Sequence, residues 1–176
     1  MKNEISNILN LIETGNTIKA LEEAKTFHSQ HKNNLDGIKL LAYTYIQLGN
    51  FEKVISVLED GYKSRKDKQD FDYFNNLGYA LLKVEEFEKS IINLGKAIEI
   101  NHNDPGVYIS MAELYIKCRK FGEAKKYIEV ALEIVKKIGP NSYIKYSNLY
   151  LLMSEINSAL KQDNKSISMF NDILNK

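Results

Sequence analysis

Few residues of this chain have the types and spacing that catalysis or metal binding requires. His28 and His31 are three positions apart, so a helix would place both imidazoles on one face, where they could bind a metal ion. No cysteine or carboxylate at ligand spacing lies near them. Cys118, the single cysteine, occupies an apolar position and is interpreted as a core residue rather than a nucleophile. With no glycine-rich phosphate loop and no nucleophile elbow, the sequence predicts a non-enzyme without catalytic residues, metal site or cofactor.

The composition narrows the class of protein further. The 176 residues include 24 basic and 23 acidic side chains, a net charge of +1 that provides no basic field for nucleic acid. One cysteine cannot form an internal disulfide framework. The first residues lack the apolar core of a signal peptide, and no apolar run approaches the length of a membrane span. We therefore expect a cytoplasmic protein that neither inserts into a membrane nor binds nucleic acid.

The segment 71–105 shows which elements must position any functional residue. Its first half has small or apolar residues at helical spacing, and after the polar pair Glu85–Glu86 a second such stripe begins at Phe87. Two helices joined by so short a turn must be antiparallel neighbours, and neither can bury its stripe alone. The first stripe consists of Phe74, Leu77, Gly78, Leu81 and Val84, and the second of Phe87, Ser90, Ile91, Leu94, Ala97 and Ile98.

The same pattern recurs along the chain. Four units begin at Met1, Leu35, Phe71 and Pro105, which are 34, 36 and 34 residues apart. When the units are aligned, residues at the same position of the repeat form a column. One column of the first helices consists of Ile38, Phe74, Tyr108 and Tyr150, and a second column of small residues consists of Ala42, Gly78, Ala112 and Ser154. In the second helices the columns are Ala20, Val54, Ser90, Ala124 and Ser166, then Leu58, Leu94, Ile128 and Phe170, then Gly61, Ala97 and Ala131. Such period-matched columns predict the shared core of stacked helix pairs.

The C-terminal part departs from the period. The fourth unit is eight residues longer than the repeat, which predicts a second helix extended to Gly139–Pro140 and places Tyr143, Ile144 and Tyr146 beyond the stack. Those residues are either part of two lengthened helices or an additional docking edge. A turn is predicted at Lys161–Asp163, followed by a last helix that no polar capping helix covers. We expect either that the chain is part of a longer protein or that its last helix pairs with another molecule, for example a second copy of the chain.

These residues resemble the tetratricopeptide repeat, a 34-residue helix pair with Leu-Gly or Leu-Ala in the first helix and Phe, Ala, Leu and Ala positions in the second. The resemblance implies one all-α domain, 1–176, folded as a right-handed α-solenoid of about five helix pairs. The units are 1–34, 35–70, 71–104, 105–146 and 147–176. Members of this family are expected to bind peptides or partner helices in the concave groove formed by the first helices.

Mapping that groove onto the chain gives the candidate partner-binding residues, which lie between the apolar columns. Tyrosine offers contact area at low entropic cost, and asparagine can both donate to and accept from a peptide backbone. A plain polar surface is the alternative for this set. The candidates are Lys39, Tyr43, Ile46, Asn75, Asn76, Tyr79, Lys83, Ser110, Glu113, Lys117 and Glu155.

Two specialised forms of the groove are not supported. The family's carboxylate clamp for acidic chaperone tails would find Lys39 and Asn76 in place, but Tyr43, Gly106 and Ser110 at its other positions. An asparagine ladder would need Asn in one column that here reads Leu40, Asn76, Ser110 and Leu152. The function predicted from the sequence is a protein-interaction scaffold whose groove binds a peptide or helix. The alternatives are a docking arm of a larger enzyme and a self-associating scaffold.

Overall fold

The structure, a computed structural model, describes residues 2–32, 34–63, 70–139 and 146–174, with side chains described as far as Lys161. These residues form helices and contain no strand. The helices are α1 (Lys2–Glu13), α2 (Thr17–Gln30), α3 (Leu35–Gln47), α4 (Phe51–Tyr62), α5 (Phe71–Lys83), α6 (Phe87–Ile100), α7 (Pro105–Lys117), α8 (Phe121–Ile138) and α9 (Asn148–Leu174). The prediction of an all-α helical-repeat solenoid is confirmed.

The chain divides into two compact units, Met1–Ile100 and Asn101–Lys176. In the first unit each helix packs against the next from α1 to α6, and the described contacts of α3 also include α1 and α5 directly. In the second unit α8 packs against both α7 and α9. The first helices of successive pairs, α1, α3 and α5, are therefore neighbours within the first unit, as the repeat pattern requires.

The turn within each of the first four helix pairs has one repeated geometry. A residue in the left-handed region closes the first helix, and its successor donates a backbone hydrogen bond five residues back, as Asn50 does to the Tyr45 carbonyl at 3.0 Å. Glycine suits two of these positions, because glycine adopts positive φ without steric cost. The left-handed residues are Gly15 (φ 80°), Gly49 (69°), Glu85 (63°) and Arg119 (55°).

Polar side chains begin several of the helices. Asn34, Asn50, Asp70 and Asp104 each accept a hydrogen bond from a backbone N–H in the first turn of α3, α4, α5 and α7. Such caps satisfy donors that have no partner inside the helix and contribute about 1 kcal/mol each. The starts of these four helices are thus stabilised by residues that immediately precede them in the sequence.

Two of the three predicted second-helix columns are confirmed from α2 to α8, and in the third Ala97 and Ala131 are buried but Gly61 is half-buried. Ala20, Val54, Ser90 and Ala124 are all 0% exposed, and so are the three described members of the next column, Leu58, Leu94 and Ile128. Ser90 is accommodated in this core because its hydroxyl donates to the Gly78 carbonyl at 2.7 Å. In the first-helix columns, Ile38, Ala42 and Ala112 are also completely buried.

The fifth unit differs from its prediction. Helix α9 runs from Asn148 to Leu174 without interruption, so the turn predicted at Lys161–Asp163 is wrong and the last unit is one long helix instead of a helix pair. Tyr150 and Ser154, predicted to be in the core columns, are exposed, whereas Leu149 and Ile156 are buried. No glycine or proline occurs between residues 148 and 174, so nothing in the local sequence forces the helix to end.

Other C-terminal predictions have mixed outcomes. Helix α8 extends to Ile138 and is closed by Gly139 at φ 106°, as the longer fourth unit predicted. Tyr143 and Ile144 lie outside the described residues, and Tyr146 is half-buried. Ser166, Phe170 and Ile173 lie outside the described side chains.

Candidate partner-binding face

Most of the predicted groove residues lie on α3 and α5 of the first unit. Lys39 and Tyr43 are one turn apart on α3, and Asn75, Tyr79 and Lys83 follow one another at the same interval on α5. Helices α3 and α5 are in contact, and a hydrogen bond from Lys39 to Asp72 joins them. Ile46, near the end of α3, is half-buried. We call the surface formed by the six polar and aromatic members of this set the α3–α5 face: Lys39, Tyr43, Asn75, Asn76, Tyr79 and Lys83.

Aromatic rings form the middle of this face. Tyr43 is 40% exposed although it lies between buried residues of α3. Tyr79 is half-buried because its ring meets Phe51 edge-on, with centroids 5.8 Å apart. The Lys83 ammonium lies 4.9 Å from the Tyr79 ring centroid, a cation–π distance. Tyr79 is therefore held in place by its neighbours, whereas Tyr43 presents its ring to solvent.

Asn75 carries an unused hydrogen-bond acceptor. Its Oδ1 atom is buried and has no hydrogen-bond partner among the described residues. A buried polar atom left unpaired costs about 1–3 kcal/mol. Asn75 precedes Tyr79 by one helical turn, so the two residues lie on the same side of α5, although the Oδ1 atom itself is buried.

Lys39 is held by two carboxylates that sequence analysis did not associate with it. Its ammonium donates to Asp70 Oδ2 at 2.6 Å and to Asp72 Oδ2 at 2.9 Å. Burial alone would lower the pKa of Lys39, but the hydrogen bonds and charges of the two aspartates outweigh burial and raise it well above its usual value. Lys39 is consequently a charged residue that joins α3 to the start of α5.

A buried phenol adjoins the same charges. Tyr62, at the end of α4, is 1% exposed, and its hydroxyl has no hydrogen-bond partner among the described residues. Burial, followed by the negative charge of Asp70, raises the pKa of Tyr62 to about 12, while Lys39 acts in the opposite direction. Asp70, Asp72 and Tyr62 are the residues near this face that sequence analysis missed. Of these three residues, only Asp70 could have been detected from the sequence, because an aspartate just before an amphipathic helical pattern indicates the start of a helix.

The remaining predicted groove residues lie in the second unit. Ser110 is 7% exposed, and its hydroxyl donates to the Gly106 carbonyl at 3.1 Å, so it is a buried residue rather than an accessible ligand contact. Glu113 is half-buried, and Lys117 and Glu155 are exposed. Ser110, Glu113 and Lys117 share α7, and Glu155 lies on α9, which contacts α7. A continuous groove over both sets stays a prediction.

The residues first considered for metal binding or catalysis, His28, His31 and Cys118, lie at the ends of α2 and α7. His28 is half-buried, and its Nδ1 atom has no hydrogen-bond partner in the part of the chain that the structure describes. Burial, then the charge of Lys32, lowers the pKa of His28. His31 ends α2 and lies with its ring centroid 4.8 Å from that of Phe27. Within the described part of the chain, no group of three His, Cys, Asp or Glu residues could hold a metal ion. Cys118 was predicted to be a core residue, but it is only half-buried at the end of α7.

None of the helices in the described ranges is long and apolar enough to cross a lipid bilayer.

The paired helices, repeated turns and period-matched core columns define a protein of the helical-repeat class. A family model described as "Tetratricopeptide repeat protein 21 forth ARM domain" matches residues 73–176, more than half of the chain. The chain belongs to this tetratricopeptide-repeat family.

Similar proteins agree with that assignment. Stress-induced-phosphoprotein 1 of Caenorhabditis elegans is 26% identical over 103 residues, which are 55% of this chain and 32% of that protein. A thermophilic TPR protein of Thermus thermophilus has a TM-score of 0.67 at 21% identity, covering 89% of this chain and 79% of the other. The TPR2B domain of yeast Sti1, solved in complex with pHsp70, has a TM-score of 0.59 at 19% identity, covering 69% of this chain and 94% of that domain. The chain thus spans about a third of the nematode relative's length.

Proposed function

We propose that this chain is a non-catalytic protein-interaction scaffold that binds an extended segment of a partner protein on the α3–α5 face. The observation that supports this proposal is the contact between α3 and α5, the two helices that carry Tyr43, Tyr79 and the unpaired amide oxygen of Asn75. The repeat core does not need these residues, because it is built from the columns on the opposite side of each helix.

Each part of the face has a suitable role in holding a peptide. The Tyr43 ring offers apolar area that a partner side chain can cover, and covering an exposed aromatic ring is a major source of affinity at interfaces. The Asn75 Oδ1 atom is buried, so it can accept a hydrogen bond from a peptide N–H only after the side chain rotates toward solvent. That bond would satisfy an acceptor that otherwise has no partner among the described residues. The yeast TPR2B domain, a structural neighbour solved with pHsp70, supports peptide recognition on this type of fold.

A peptide selection tests the proposal. Random peptides of about a dozen residues are selected on the wild-type chain, and the affinities of the enriched peptides are measured for Tyr43→Ala and Tyr79→Ala. We expect each substitution to weaken binding by about tenfold or more, because central aromatic residues contribute about 1–2 kcal/mol or more. Tyr150→Ala is the matched control, since Tyr150 is a similarly exposed tyrosine (49%) on α9.

The outcomes separate the proposed face from other surfaces. Binding that is lost with Tyr43→Ala but retained with Tyr150→Ala supports the α3–α5 face. Binding that is unchanged in both tyrosine variants of this face contradicts the proposal, as does a selection that enriches no peptide. Circular dichroism at 222 nm confirms that each variant retains the helical content of the wild type.

A further inference from the structure

The Lys39 ammonium makes its anionic contacts within the chain. Asp70 and Asp72 approach it at 2.6 and 2.9 Å from positions 31 and 33 residues further along the sequence. Together the three side chains carry a formal charge of −1. The side chains of the aspartates are 44% and 55% exposed, whereas that of Lys39 is only 24% exposed, so the carboxylates present more surface to solvent than the cation does.

We propose that Asp70 and Asp72 determine the specificity of the α3–α5 face by occupying Lys39 and so excluding acidic partner segments. This inference rests on the proposed function. The partner segment is accordingly uncharged or basic where it passes Lys39. An acidic side chain at that point would be repelled by the net negative charge of Lys39, Asp70 and Asp72 together. It would also find the Lys39 ammonium already paired with the two aspartates.

Asp70 cannot easily move away to release Lys39. Its Oδ2 accepts from the Lys39 ammonium while its Oδ1 accepts from the Tyr73 backbone N–H at 3.1 Å, which caps α5. Rotating the carboxylate toward solvent would therefore leave the helix start uncapped as well as breaking the ion pair. A ligand carboxylate must also compete with two carboxylates of the same chain, whose effective concentration far exceeds that of a free peptide.

The test compares two synthetic peptides on charge-altered proteins. The parent is an enriched peptide from the selection, made in one version with Glu and in another with Gln at its variable polar positions. The protein variant is Asp70→Asn/Asp72→Asn, in which the amide that replaces the Asp70 carboxylate can still cap α5. The control is Asp60→Asn/Glu88→Gln, which makes the same change in net charge at exposed positions of α4 and α6.

Wild type and control should bind the Glu peptide no better than the Gln peptide. The Asp70→Asn/Asp72→Asn variant should prefer the Glu peptide by about tenfold, the value of one additional charge-assisted hydrogen bond of about 1.4 kcal/mol. Adding Lys39→Gln to that variant should remove the preference.

Two results would overturn the inference: a wild type that already prefers the Glu peptide, or an Asp70→Asn/Asp72→Asn variant without the preference. Neither result affects the proposed function, which is judged by the loss of Gln-peptide binding in Tyr43→Ala. Conversely, a tyrosine-insensitive peptide would contradict the proposed function whatever the aspartate variants do.

Discussion

The same substitution, glycine to alanine, should have opposite effects at two positions of the α5–α6 helix pair. Gly78 lies within α5 and Gly95 within α6, and both are helical residues. Alanine is more favourable than glycine in a helix interior by about 1 kcal/mol. This gain is common to both variants, so the difference between them reports the contacts that a new Cβ atom would make.

At Gly78 the new Cβ atom has no space. It would lie 2.8 Å from Leu94 Cγ, 2.9 Å from Leu94 Cδ2 and 3.0 Å from the Leu94 backbone nitrogen. Leu94 is completely buried, and its backbone can move only with α6, which would also strain the hydrogen bond from Ser90 to the Gly78 carbonyl. Overpacking of this kind costs about 1–3 kcal/mol. Since α6 must shift, we take the upper part of that range and expect a net loss of about 1–2 kcal/mol after the helix-propensity gain.

At Gly95 no heavy atom lies within 4 Å of the position that a Cβ atom would take. Gly95→Ala therefore retains the helix-propensity gain and should stabilise the fold by about 0.5–1 kcal/mol. Close packing does not explain the glycine at this position.

Urea unfolding followed by circular dichroism at 222 nm measures both effects. The midpoint should fall for Gly78→Ala and rise for Gly95→Ala, with free energies of unfolding that differ by about 2–3 kcal/mol between the variants. A Gly78→Ala protein as stable as Gly95→Ala would refute the conclusion that α5 and α6 meet at Gly78.

Three further predictions use the same unfolding assay. Asp70→Ala should cost about 1 kcal/mol more than Asp70→Asn, because Asn still caps α5 while both variants lose the ion pair to Lys39; equal costs would contradict the cap. Glu85→Gly should stabilise by about 0.5–1 kcal/mol, since Glu85 has φ 63°, and a destabilised variant would contradict that turn geometry. Because burial lowers the folded-state pKa of His28 below 6.5, the free energy of unfolding should fall as the pH decreases through 6.5. Between about pH 7.5 and 5.5 the fall should be smaller in His28→Gln than in the wild type. Identical pH dependence in the two proteins would exclude a contribution of His28 to this fall.

Most of the core positions of the second helices could be predicted because their burial follows the repeat period. Positions such as Val54, Ser90 and Ala124 each occupy the point where a second helix meets its neighbours, and all three are fully buried. A residue at such a point must be small or shaped to fit, whatever its polarity. Ser90 shows this, since its hydroxyl finds an acceptor in the Gly78 carbonyl.

The last helix could not be predicted in the same way. Its polar segment at Lys161–Asp163 resembles the earlier turns in composition, but it lacks the glycine or the left-handed residue that closes those turns. With no break in the helix, the register of its buried side follows from packing against α8 and α7. The buried positions become Leu149 and Ile156 instead of the column positions Tyr150 and Ser154.

The chemistry of the α3–α5 face was also beyond the sequence pattern, for a different physical reason. The period identifies Lys39 as a residue outside the core, but whether its charge is available depends on Asp70 and Asp72, which belong to the start of another helix pair. A distance of 2.6 Å between groups 31 residues apart arises from the way one pair stacks on the next, and the period of the apolar columns contains no information about it. In this chain, therefore, the columns of the second helices identify buried positions, whereas the pairing of Lys39 depends on Asp70 and Asp72 at the joint between two helix pairs.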